Sequence, residues 1–168
     1  GNRASGDPGR GGGIYNWEGT ASFTNSTVSH NSAGDGGGIY TSGQGTLTLS
    51  NTIVTLNEAE ENAAIRWEFI ANACLLNVDP GFVRNPSPGP DGSWATDDDD
   101  PGDLRLAESS VAINLGDNAY AVDQHGLHLE TDADGNPRIV HGQVDIGAYE
   151  YQGSSPLWED ASTEVTTL

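Results

Sequence analysis

Two stretches decide the fold: GGGIYNWEGTASFTNSTVSHN (residues 11–31) returns as GGGIYTSGQGTLTLSNTIVTLN (residues 36–57). The glycine boxes lie 25 residues apart, and after one extra residue in the intervening turn, residues 20–31 match 46–57 at a spacing of 26. A fixed period of this size marks supersecondary units that cannot bury their apolar face alone and stack to do so. Within each unit GGIY, then TASF or TLTL, then STVS or TIVT are separated by Gly, Ser and Asn. These read as three short strands per coil, and stacking like on like yields three parallel sheets. The expected fold is all-β, a right-handed parallel β-helix of about three coils with an irregular C-terminal cap.

Pushed further at spacing 26, the repeat lands on NAAIR, with Ile65 under Ile39 and Ile14. The same register sets Ala73 under Leu47, Leu75 under Leu49 and Asn77 under Asn51. Residues 58–73 also have helical composition with Asn57 as an N-cap, but register outweighs propensity, which tertiary context overrides. Asn25, Asn51 and Asn77 form one expected turn ladder and Asn31 with Asn57 another. Cys74 falls on the outward phase opposite Thr48 and Ser22. At the start, Asn2-Arg3-Ala4-Ser5-Gly6-Asp7 echoes the run from Asn31, so the chain reads as opening inside a coil with an unpaired edge. The expected organisation is coils over 1–83, a cap of the same domain over 84–152, and a polar tail over 153–168.

The net charge of −19 combines 25 acids with six arginines and no lysine. Phosphate backbones need clustered cations, so nucleic acid is a poor partner. Most of the acid lies beyond residue 90, where it either solvates a surface or is neutralised by a hard cation. One cysteine allows no internal disulfide and no thiolate pair for zinc. No apolar run is long enough to span a membrane, and no signal-peptide pattern opens the chain.

DGSWATDDDDPGDLRLAESSVAINLGDN (residues 91–118) and TDADGNPRIVHGQVDIGAYEYQ (residues 131–152) together resemble the C-terminal part of bacterial β-helix proteins of the choice-of-anchor Q type. The resemblance implies a β-helix on a large secreted or cell-surface chain. It implies no activity, because fold alone does not give function.

Three constellations carry candidate chemistry. Asp97, Asp98, Asp99 and Asp100, with Asp91 and Asp103, offer the oxygen ligands that Ca²⁺ requires, or form a solvated acidic turn. Asp132, Asp134 and Asn136 resemble the start of a calcium loop without its distal glutamate. The same run is an ordinary turn into a hairpin, residues 138–140 against 144–146, which an Arg138–Asp145 ion pair would lock. Asp123, His125 and His128 are close enough in sequence to meet a transition metal, or are exposed loop residues. Trp17, Trp67 and Trp94 are candidate sugar platforms, or pack against the coils and cover a solenoid end.

The expected function is a non-catalytic extracellular structural or adhesive module, stabilised by Ca²⁺ and self-associating through its open coil end, with glycan as a possible ligand. The alternative is a fragment of a polysaccharide-active enzyme, a lyase or glycoside hydrolase. Lyases often use Lys as base, which this chain lacks, whereas hydrolases need only two carboxylates at the right separation.

Overall fold

The computed structural model describes residues 1–6, 9–92, 94 and 96–154. The tail expected over 153–168 lies outside the described residues apart from Gly153 and Ser154. The coils comprise β1 (Ile14–Trp17), β2 (Thr20–Thr24), β3 (Thr27–Ser29), β4 (Ser32–Asp35), β5 (Ile39–Ser42), β6 (Thr46–Ser50), β7 (Ile53–Thr55), β8 (Glu58–Glu61), β9 (Ile65–Arg66), β10 (Ile70–Asn72) and β11 (Leu75–Leu76). They stack as parallel sheets β1-β5-β9, β2-β6-β10 and β3-β7-β11, which makes the fold a parallel β-helix. A fourth parallel ladder, β4-β8, adds a side that alternation did not reveal. Its strands, SAGD and EAEE, carry small and charged residues in place of β-branched ones. Arg3 bridges to Ser32 and Arg10 to Asp35, so both continue that fourth ladder.

Each side ends at a corner whose residue is left-handed. The four corners take Gly11, Gly36 and Asn62; Glu18, Gly43 and Trp67; Asn25, Asn51 and Ala73; and His30, Leu56 and Asn77, all with φ between 47° and 73°. Gly and Asn enter this region at least cost, which is why they recur with the period. The glycine box has a second cause. A Cβ on Gly12 would lie 2.4 Å from the carbonyl oxygen of Gly37 in the next coil, and one on Gly37 only 2.3 Å from that of Glu58.

The third coil departs from the expected register. Ile39 pairs with Ile65, a separation of 26, but Leu49 pairs with Ala71, a separation of 22. The corner between the first and second sheets is shortened by four residues, so Ala73, not Asn77, takes the place of Asn51. Asn77 moves to the following corner, with its N–H donating to the Val54 carbonyl. Cys74 is likewise not opposite Thr48. It occupies the position of Ser26 and Thr52, and all three side chains donate to the carbonyl two residues back, at 2.9, 2.9 and 3.3 Å. Cys74 packs against the coil interior, and burial raises its thiol pKa. The stretch 58–73 forms the strands β8, β9 and β10 with bends between them, not the helix that its composition allowed. The Asn31–Asn57 ladder forms as expected and gains Asn2 at its head: each side-chain amide donates to the next residue's Oδ1, at 3.2 and 3.0 Å.

The interior of the coil is filled by Val28, Ile39, Leu47, Leu49, Val54 and Ala64. Residues 79–152 lie along the flank of the coils. Outward-facing Ile53 of β7 joins Phe82, Leu106, Ala112, Ile113 and Ile146 in a second core. There β12 (Phe82–Arg84) pairs antiparallel with β13 (Asp103–Leu106), and β14 (Ile139–Val140) with β15 (Gln143–Val144). The latter is the hairpin expected from sequence but one residue tighter: it turns at His141-Gly142, both with φ positive, and Gln143, expected in the turn, pairs with Val140. The flank is sewn to the Asn25/Asn51 corner. Asn51 is fully buried, accepts from the Asp117 N–H at 2.7 Å and donates to the Asp117 carbonyl at 2.9 Å. Asn25 donates to the Tyr120 carbonyl at 3.1 Å.

Candidate functional site

The acidic residues named as calcium ligands are held by other partners. Asp100 accepts a two-pronged bond from Arg84, at 2.9 and 3.1 Å, and the guanidinium lowers its pKa. Asp103 and Asp134, from separate segments, both engage Arg105. Asp98 accepts from the Thr96 hydroxyl and the Asp91 N–H, which lower its pKa, and Asp99 accepts from the Thr96 N–H. Asp132 closes its own turn by accepting from the Asp134 and Asn136 N–H groups, and its other oxygen takes the Glu150 N–H. Asp97 is exposed beside them. Among the described residues, no three of His, Cys, Asp and Glu converge as a metal site. Asp123 accepts from the His125 and Leu127 N–H groups, and His128 bridges to Val122, so this run builds a tight turn.

The signature VDIGAYEY is a latch. Arg138 is 1% exposed, and its Nη2 donates to Asn25 Oδ1, the Asp145 carbonyl and the Gly147 carbonyl. The expected Arg138–Asp145 lock therefore runs through the Asp145 main chain. The Asp145 carboxylate accepts instead from the N–H groups of Asn114 and Tyr151, at 2.7 and 2.6 Å. Glu150 accepts from Val140 and Asp145, both at 3.0 Å. Two buried carboxyls face one guanidinium. Burial first, and then the neighbouring Asp145, push the Glu150 pKa up to about 8, and burial raises that of Asp145 as well. At neutral pH the pair keeps a proton, which balances the single Arg138 charge. This cluster orders backbone and lies away from solvent.

The surface that faces solvent with unusual chemistry is the outside of β1-β5-β9. Ile14, Ile39 and Ile65 point inward, so alternation turns Tyr15, Tyr40 and Arg66 outward in one row, with Trp17 beside Tyr15. Tyr15 stacks on Tyr40 at 5.4 Å and 20°, and on Trp17 at 6.3 Å and 16°. Tyr40 is buried, and the guanidinium of exposed Arg10 lies over its ring at 5.3 Å, so the ring that Tyr15 stacks on is itself held. Tyr15 and Trp17 are half exposed, at 49% and 55%. Arg66 pairs with Asp35 at 3.4 Å and lies 4.9 Å from the ring of exposed Trp67. Trp17 and Trp67 thus fall on one face, whereas Trp94 packs by the His30/Leu56 corner. Tyr15, Tyr40, Arg10 and Arg66 were missed in the sequence, although IY at the same place in two coils was the signal for a stacked pair.

The chain matches no family model, no curated protein and no solved structure.

Proposed function

We propose that this chain is a non-catalytic extracellular module, structural and adhesive, whose coils form a rigid support and whose β1-β5-β9 face contacts carbohydrate. The observation that carries the reading is the exposed Tyr15–Trp17 pair held by buried Tyr40 and Arg10. Flat rings fixed before binding match the apolar C–H face of a pyranose and lose little rotamer freedom on contact. The resemblance of residues 91–118 and 131–152 to secreted choice-of-anchor Q proteins supports the extracellular assignment. Asp35 and Glu61, carboxylates beside this face, are both engaged with Arg66, at 3.4 and 3.8 Å, a charge-balancing arrangement.

The test is calorimetric titration with a panel of soluble polysaccharides and oligosaccharides, each also assayed for chain cleavage. We expect binding without cleavage, weakened about tenfold by Trp17→Ala. Absence of binding to every glycan would remove the reading, and cleavage would move the chain to the polysaccharide-active enzymes.

A further inference from the structure

Around the corner from Trp17, the second sheet presents a row of hydroxyls. Ala21 and Phe23 pack against the interior, so Thr20, Ser22 and Thr24 face out, and Thr46 donates to the Thr20 hydroxyl at 3.2 Å. The turn made by Asp123, Gln124 and His125 stands beside this row. Between them lies a cleft of about 550 Å³ lined by Ser22, Thr24, Val122, Asp123, Gln124 and Leu129. The turn is fixed in place. The Asp123 N–H donates to the Leu127 carbonyl and the Leu129 N–H to the Ala121 carbonyl, while Tyr120, just upstream, is tied to Asn25. Asp123 uses Oδ1 for both turn bonds, and Oδ2 takes no hydrogen bond among the described residues.

We propose that this cleft is a second subsite on the glycan-binding surface, and that the ligand is an uncharged polysaccharide chain gripped along its length. The inference rests on the carbohydrate reading of the aromatic face. Tyr15, Trp17, Thr20, Ser22 and Thr24 belong to one coil, so rings and hydroxyls form a single track crossing the corner at Glu18. Its strand legs span about 7 Å from Tyr15 to Trp17 and about 13 Å from Thr20 to Thr24, more than one sugar can cover. Hydroxyls, an amide and a carboxylate oxygen supply donors and acceptors for sugar hydroxyls, while Val122 and Leu129 supply an apolar wall. The carboxylates on the track are Glu18 and Asp123, and of the neighbouring cations Arg66 is balanced by Asp35 and Glu61 while Arg10 lies over Tyr40, in a chain of net charge −19, which disfavours uronate or sulfated polymers.

The experiment is calorimetric titration of the intact chain with neutral oligosaccharides of increasing length, taken from whichever neutral polymer binds, and with a polyuronate as comparison. Affinity is expected to climb at least tenfold between the shortest binder and oligomers that reach both legs. The double variant Thr24→Val, Gln124→Ala should flatten that climb while leaving the shortest binder unchanged, and Trp17→Ala should weaken every length. Circular dichroism of each variant checks the fold, and Ser22→Tyr, which fills the cleft from an exposed position, repeats the test without touching the turn. Binding that saturates with the shortest oligomer, or that ignores the cleft variants, overturns this inference and leaves the aromatic-face reading standing. Preference for the polyuronate overturns the uncharged assignment, and no glycan binding at all defeats both.

Discussion

The coils and the flank are held by different means. In the coils a residue does what its counterpart in the next coil does: Asn31 bonds Asn57, Thr20 bonds Thr46, and a left-handed residue turns each corner. Stability there is spread over many small, equivalent contributions, as nearest-neighbour stacking requires. On the flank a few unlike groups carry everything. Arg138, Asp145 and Glu150 gather main-chain donors and acceptors from residues 114–151, and Asn25 and Asn51 join that network to the coils. A distributed structure tolerates single losses; a concentrated one fails at its centre.

That contrast can be broken most sharply at Arg138. Arg138→Met leaves two buried carboxyls without their cation and should cost about 3–5 kcal/mol, seen as a low-denaturant transition of the flank. Retention of a single wild-type transition would show that the latch is not concentrated there. Asn51→Ala should cost about 2–4 kcal/mol in urea unfolding, since it removes the fully buried amide that both the Asp117 N–H and the Asp117 carbonyl bond to, and leaves alanine at φ 47°. The reverse change at the equivalent corner, Ala73→Asn, should add only a few tenths to about 1 kcal/mol, because among the described residues no hydrogen bond from the flank reaches it.

Acidity sharpens the comparison further. Glu150 binds its proton more tightly folded, with a pKa of about 8, than unfolded, near the ordinary 4.5. The folded state therefore holds the extra proton between those values, so flank stability is full below about pH 4.5 and declines as pH rises through 8. Urea midpoints across that range should fall for the wild type and lose most of the slope in Glu150→Gln. The smallest effect is expected from calcium. With Asp100, Asp103 and Asp134 on arginines, the thermal midpoint should be the same in Ca²⁺ and in EDTA; a clear rise in Ca²⁺ would restore the acidic loop as a site.

The first and third coils differ for a related reason. Gly12 and Gly37 are needed because a coil lies beneath them, whereas Ala63 stands at the same place in a coil whose strands β9, β10 and β11 are sheet edges. A methyl group has room there, and the edge strand Glu58–Glu61 carries three carboxylates that discourage further pairing. Degeneracy in the third coil thus has a physical source, and it is also what misled the alignment of Asn77 and Cys74.

Period, parallel stacking, the Asn31–Asn57 ladder and the existence of a hairpin after Arg138 were determined by sequence alone, because they arise from residues repeated at one spacing or from neighbours in the chain, although the turn itself closed one residue tighter than expected. The fourth side, the four-residue shortening after Arg66 and the exchange of an expected ion pair for main-chain bonds at Arg138 were decided only by the tertiary structure. Each depends on groups far apart in the chain, such as Arg138 on Asn25 or Asp117 on Asn51, and no local pattern records which distant carbonyl a buried donor will reach. The candidate binding face divides the same way. Alternation turned Trp17 outward, but only the stacking of coils set Tyr15 on Tyr40, and only packing of the flank placed Asp123 and Gln124 across a cleft from Ser22 and Thr24.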